Sequence, residues 1–388
     1  MMSCGLPDTP LIDSQQAFER FLDSLEGIDL LAIDVEADSL FHFRPKICLI
    51  QMATPENIAL IDPLRVPDIS PLKAVVEDPN ILKIFHGADY DIRSLSRDFG
   101  FNVHPIFDTE LASRFLGIRH TGLDAVLASR FGIEVDKRFQ KKDWSKRPLS
   151  DDMIHYAAQD VRFLIPLYRI LQAELQEKGR IDWVKEECER LSDVRYKAED
   201  ESPRFLRVKG AGKLKPRSLS VLEELLNLRD REAQRLDRPP FKVFDNQTLL
   251  SIATALPQTL EELQALHALS PKQFARFGEA VVAIVREQVQ KPEKELLHFP
   301  KNGSSINDPN CNVRLALLKK MRALTAEELD MDPGQLCNNA LLGRIAAQSS
   351  LSLQTLAQME EMKGWQLAIL GSRILETLSQ APGVRIER

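Results

Sequence analysis

Three short acidic groups have residue types and spacings that could do chemistry together. Asp34 and Glu36 stand two apart at the end of Ile28–Val35, a near-continuous apolar run of the kind that forms a buried strand. Alternation along a strand puts both carboxylates on one face. Two acids at the polar end of so apolar a strand are costly unless a cation neutralises them. The second group, His86-Gly-Ala-Asp89-Tyr90-Asp91, lies at a strand-to-helix junction. There Asp89 suits the helix N-cap, while Asp91, four before Leu95, falls in the first turn along the buried side. The third group is His155-Tyr156-Ala-Ala-Gln-Asp160. At about 100° per residue Tyr156 and Asp160 share one helix face, and His155 sits about 140° from Asp160. Tyr196 and Asp200 repeat the Tyr-x-x-x-Asp spacing in a charged linker, where it is read as chance. The three groups offer four carboxylates, hard oxygen ligands that suit Mg²⁺ or Mn²⁺ and not zinc.

The elements that must position these acids read as α/β. After the first strand, 46–52 and 57–62 are strand-like and joined by Thr54-Pro55-Glu56, which predicts an antiparallel meander. A fourth strand, Ile81–Phe85, leads through His86-Gly87-Ala88 into a helix over Tyr90–Phe99, stopped by Gly100. Helical patterns follow over Thr109–Leu116 and Leu123–Phe131, and Asp108 reads as the N-cap of the first of them. Asp62 and Asp124 read as loop or cap residues. A long helix starts near Ser150, with Asp151 and Asp152 at the positive end of its dipole.

Beyond the charged stretch 192–203 the strand signals fade and helices dominate. A second stretch rich in Pro, Asn, Ser and Gly begins at 291. Leu249-Leu250-Ser-Ile252-Ala253 before Thr259 faintly echoes Leu341-Leu342-Gly-Arg-Ile345-Ala346 before Ser352, which suggests two small helical domains of similar build.

The chain has 388 residues, enough for two or three domains, and a net charge of -6. The charge is unevenly spread: residues 1–201 carry -11, 202–290 carry +4 and 291–388 carry +1. Chemistry and anion binding are therefore expected to sit in different regions. No apolar run approaches the roughly 18 residues of a membrane-spanning helix. The first 21 residues hold Asp8, Asp13 and Glu19 and no apolar core, so no secretory signal is expected. Five scattered cysteines without a C-x-x-C pair exclude a disulfide framework or a cysteine zinc site and favour a reducing cytoplasm.

In this order, Asp34-x-Glu36, His86-Gly-Ala-x-x-Asp91 and Tyr156-Ala-Ala-x-Asp160 resemble the motifs of the DEDD exonucleases, and among them the ribonuclease D family. Supporting phrases are Phe107-Asp108-Thr109, Asp143-Trp144-x-x-Arg147-Pro148-Leu149, and Val208-Lys209-Gly210 leading into Leu225-x-x-x-Arg229-x-x-Glu232. The likeness spans about residues 27–290. It implies a ribonuclease H-like α/β domain, a mixed sheet flanked by helices, over 1–201. Two all-α HRDC-type domains would follow at 202–290 and 313–388, joined by a linker over 291–312. It also implies a 3′→5′ exoribonuclease that uses two divalent metal ions, Mg²⁺ or Mn²⁺, and releases nucleoside 5′-monophosphates. Asp34, Glu36, Asp91 and Asp160 would be the metal ligands, and Tyr156 would orient the attacking water. The same segment fits the histidine-type subgroup through His155, but the helix angle favours Tyr156.

Two basic runs are expected to contact RNA. The first lies just before the third acidic motif and includes Lys137, Lys141, Lys142, Trp144 and Arg147. The second, 203–217, includes Arg207, Lys209, Lys213 and Lys215 without aromatic residues among these cations, which suits backbone contact. The family implies tRNA precursors or other small structured RNAs as substrates. The alternatives are a DNA exonuclease on the same fold and a non-catalytic RNA-binding adaptor.

Overall fold

The computed structural model describes residues 10–196, 202–300 and 308–387. Residues 1–9 (with Cys4 and Asp8), Asp200 and parts of both proposed linkers lie outside the described residues. Residues 10–36, 47–196 and 308–387 form one compact unit, and 37–46 with 202–300 form another.

In the first unit a six-stranded sheet holds β1 (Leu11–Ile12), β2 (Leu30–Ala37), β3 (Ile47–Ala53), β4 (Ile58–Ile61), β5 (Leu82–Phe85) and β6 (Ile106–Asp108). Their order across the sheet is β1-β4-β3-β2-β5-β6. β3 and β4 are antiparallel, closed by Thr54 N–H donating to Asn57 C=O at 2.9 Å. β2, β5 and β6 run parallel, with Leu30 beside Leu82 and Phe85 beside Asp108. The mixed sheet matches the expected architecture, and the two- and three-residue strands β1 and β6 are additions to it. They are too short to carry a periodic signal.

Helices α1 (Gln15–Asp23), α2 (Leu72–Val76), α3 (Asp89–Phe99), α4 (Thr109–Phe115), α5 (Leu123–Phe131), α6 (Asp151–Arg162), α7 (Leu164–Glu177) and α8 (Ile181–Ser192) accompany the sheet. Helix α3 starts one residue before the expected point. Asp89 is therefore its first residue and not its N-cap, and it pairs with Arg93 one turn on at 2.8 Å.

The second unit is helical, with α9 (Pro216–Leu236), α10 (Pro240–Val243), α11 (Asn246–Ala255), α12 (Leu260–Ala265) and α13 (Pro271–Gln290) around its own apolar core. The segment 37–46 belongs here: Phe43 packs on that core, and its N–H and His42 Nδ1 both bond Asp237.

Residues 308–387 repeat this plan with α14 (Pro309–Glu328), α15 (Pro333–Leu336), α16 (Asn339–Ala346), α17 (Leu353–Ala357) and α18 (Gly364–Ser379). Helix α14 starts inside the span 291–312 expected as a linker. The echo extends to single bonds. Arg229 on α9 donates to Phe244 C=O and Asn246 Oδ1, and Arg322 on α14 donates to Cys337 C=O and Asn339 Oδ1. This second helical bundle shares its core with the sheet. Trp365 stacks on Trp183 with centroids 5.3 Å apart and meets Phe115 edge-on. Glu186 accepts the Gly364 and Trp365 N–H groups that open α18, and Glu187 pairs with Lys363 and takes the Trp365 indole N–H.

Candidate active site

Strand β2 brings Asp34 and Glu36 to one face, and helix α6 adds Asp160. One carboxylate oxygen from each lies within 4.8 Å of the other two. Asp91, in the first turn of α3, is 5% exposed and faces Asp34, and the Val35 N–H donates to the carboxyls of Asp34 and Asp91. No ion pair among the described residues gives any of these four acids a cation. Burial pushes the Asp34 carboxyl up to about 7. Glu36 is raised well above its ordinary value, first by burial and then by the charges of Asp34, Asp160 and Asp91. Asp91 and Asp160 are raised for the same two reasons, burial before the Asp34 charge. A cluster in this state favours whatever positive charge enters it.

Helix α6 is set by its cap: the Ser150 hydroxyl accepts the Met153 N–H at 3.3 Å, with Asp151 and Asp152 in the first turn. From that start Tyr156 turns inward, buried, and its hydroxyl donates to Asp160. Burial, followed by the charges of Asp160 and Glu36, raises the Tyr156 hydroxyl, so it stays a protonated donor and not a base. His155 lies outside, exposed, bonded only to Gln159 of its own helix at 3.1 Å.

Residues 10–176 match the 3′-5′ exonuclease family, and 218–285 and 312–378 each match the HRDC domain. Ribonuclease D of Nitrobacter hamburgensis is 30% identical over 90% of this chain and 90% of its own. That of Haemophilus influenzae is 31% identical over 77% and 75%. The chain belongs to the ribonuclease D family. Among solved structures, Escherichia coli RNase D, "an exoribonuclease involved in structured RNA processing", covers 97% of this chain and all of that one, with a TM-score of 0.75 and 25% identity. The catalytic core of RRP6 from Trypanosoma brucei covers 73% and 80%, with a TM-score of 0.61 and 29% identity. As a ribonuclease D, the chain is a 3′→5′ exoribonuclease acting on RNA.

The basic run 137–147 of this ribonuclease D divides in two. Trp144 is fully buried, packed with Phe139 against the Tyr156 ring, so it is a core residue and cannot stack on a base. Arg147 is likewise withdrawn from RNA contact. It clamps the fully buried Asp62 through two nitrogens, at 2.6 and 2.8 Å, and donates to Cys48 C=O and Trp144 C=O. Asp62 does sit in the loop past β4 and accepts the Leu64 N–H at 3.0 Å, and it is also a buried ion-pair partner. Lys137 pairs with Asp124 at 2.7 Å, while Lys141 and Lys142 are exposed. In the second run Arg207, Lys209, Lys213 and Lys215 are exposed. Sequence reasoning passed over Asp108 as a simple cap. It does cap α4, but it also accepts N–H groups from the turn that opens α3.

Proposed function

We propose that Asp34, Glu36, Asp91 and Asp160 hold two divalent ions, Mg²⁺ or Mn²⁺, and that the chain shortens RNA from its 3′ end, releasing nucleoside 5′-monophosphates. The reading is carried by three carboxylates within 4.8 Å of one another, Asp91 buried beside them, and no compensating ion pair among the described residues. An all-oxygen donor set of this kind fits hard cations. Two such ions would supply an activated water and neutralise the leaving 3′ oxygen. The protein's own part is orientation: Tyr156, fixed by Asp160 and by the Phe139 and Trp144 rings, holds the attacking water in line.

The proposed substrates are tRNA precursors or other small structured RNAs. The Escherichia coli relative is described as acting in structured RNA processing, and exposed cations at Lys137, Lys141 and Lys142 and at Arg207, Lys209, Lys213 and Lys215 suit a phosphate backbone. We divide the chain into a nuclease domain over 1–201, HRDC domains at 202–290 and 313–388, and a joining stretch at 291–312. We place the enzyme in the cytoplasm: Cys188, Cys311 and Cys337 are thiols outside any disulfide, which suits a reducing compartment. No described helix is long and apolar enough to cross a membrane.

The test is incubation with a 3′-extended tRNA and a matched DNA in Mg²⁺, Mn²⁺ or EDTA, reading chain length and mononucleotide products. Stepwise shortening of RNA with either metal and none in EDTA is expected. Preferential shortening of DNA would favour a DNA exonuclease, and binding without shortening under every condition would favour an adaptor.

A further inference from the structure

Two parallel neighbours, β5 and β6, end side by side, with Phe85 opposite Asp108, and each runs directly into a helix. The polar groups at these two exits are tied into one knot. Asp108, 3% exposed, accepts four backbone N–H groups: Gly87 at 2.9 Å, Glu110 at 2.8 Å and Leu111 at 3.2 Å on Oδ1, and Ala88 at 2.9 Å on Oδ2. Glu110 and Leu111 belong to α4, which Asp108 caps. Gly87 and Ala88 belong to the turn before α3, whose N-cap residue, Ala88, offers no side-chain acceptor of its own. Thr109 strengthens the crossing. Its hydroxyl donates to Phe85 C=O at 2.9 Å and bonds His86 Nδ1 at 2.9 Å.

We propose that Asp108 is a positioning residue of the active site: a single carboxylate that sets the turn entering α3 and thereby places Asp91. The inference rests on the reading of Asp91 as a metal ligand. The reach is short, because Asp91 is three residues past Ala88, in the first turn of the helix that Ala88 opens. Gly87, at a φ of +80°, has a backbone conformation that L side chains rarely adopt, so the turn depends on this external acceptor for its shape. Residues that orient metal ligands typically change metal affinity or activity about 10–100-fold when altered.

Asp108→Asn tests this selectively. The amide oxygen can keep the three bonds of Oδ1, including the α4 cap, while the amide NH₂ points a donor at the Ala88 N–H. Mn²⁺ binding to the full-length, RNA-free protein by calorimetry, Mn²⁺ dependence of turnover, and KM for a short RNA are measured for wild type, Asp108→Asn and Asp91→Asn. For Asp108→Asn we expect Mn²⁺ half-saturation raised about 10-fold or more, kcat reduced and partly restored by excess Mn²⁺, and KM for RNA unchanged. A folded Asp108→Asn with wild-type Mn²⁺ binding and kcat overturns the proposal, as does a loss shared equally by RNA binding and turnover. If Asp91→Asn itself keeps full activity, the ligand reading of Asp91 has failed and the proposal falls with it. Should Asp108→Asn not fold, Gly87→Ala decides: it strains the same turn, its Cβ meeting the end of the Glu110 side chain at 3.0 Å, while Asp108 keeps the carboxylate that caps α4. Weakened Mn²⁺ binding then supports the proposal and unchanged binding overturns it.

Discussion

Two sets of buried and half-buried acids are treated in opposite ways. Asp62, just past β4, is fully buried and held by two nitrogens of Arg147, and the part-exposed Asp308 takes a single bond at 2.6 Å from the fully buried Arg314. Among the described residues Asp34, Glu36, Asp91 and Asp160 have no cation: they meet one another's charges, the Asp108 carboxylate, backbone N–H groups and a tyrosine hydroxyl. A desolvated carboxylate with its own cation is a structural device whose partners cannot be separated cheaply. Four without one are a standing repulsion that an external cation relieves. Under the proposed function, the place without a counter-ion of its own is the one that takes a cation from solution.

The sharpest way to break this contrast is Glu36→Gln. Loss of a metal-held carboxylate removes several kcal/mol of charge stabilisation in the transition state, so turnover should fall about 10³-fold. In EDTA the same variant should melt higher than wild type, because one of four mutually repelling acids is gone. Normal turnover would remove Glu36 from the site, and a lower melting temperature would show that the set is not repulsive. Arg147→Ala should do the reverse. It strands a buried Asp62, which costs about 3–5 kcal/mol in urea unfolding, and any loss of activity should track loss of folded protein. A cost under about 1 kcal/mol would mean that Arg147 is a surface cation after all.

What the sequence revealed follows from distance along the chain. Asp34 with Glu36, and Tyr156 with Asp160, share a face by the period of their own element, so spacing alone showed them together. The outward turn of His155 came from the same arithmetic once Ser150 marked the helix start. Arg147 faces inward because of Asp62, 85 residues earlier, and no local pattern records that. Asp108 looked like a cap because its α4 bonds are two and three residues away, whereas its bonds to the α3 turn reach back 20 and 21 residues. Glu186 and Glu187 belong to no motif in the sequence, yet they anchor the start of α18, some 178 residues on. The β2–β5 strands were legible from apolar runs, and β6 was not.

Tyr156 and His155 sharpen the contrast at the next level of effect. Among the described residues the Tyr156 hydroxyl is the neutral side-chain donor to the acidic set, through Asp160. Tyr156→Phe should lower kcat about 10²-fold, with RNA affinity and metal half-saturation little changed. His155→Ala, an exposed change, should stay within a few fold. Single-turnover rates on a labelled oligomer separate the two, and the reverse ranking would move this enzyme to the histidine-type subgroup.

The smallest effect is expected in the run that holds both kinds of cation. Within residues 137–147 Arg147 turns inward to Asp62, while Lys141 and Lys142 remain exposed. If these two lysines neutralise phosphates, each should contribute about 0.7 to the dependence of log K on log salt for a single strand. Lys141→Ala with Lys142→Ala should therefore flatten that slope by about 1.4, weaken RNA binding most at low salt, and leave the urea midpoint within error. Arg147→Ala should leave the slope of its folded fraction unchanged. Binding titrations between 50 and 200 mM salt, a range over which phosphate contacts are resolved, measure both variants on the same oligomer. A slope altered by Arg147→Ala and not by the lysine pair would exchange their roles, and the burial that assigns Arg147 to structure would no longer predict function.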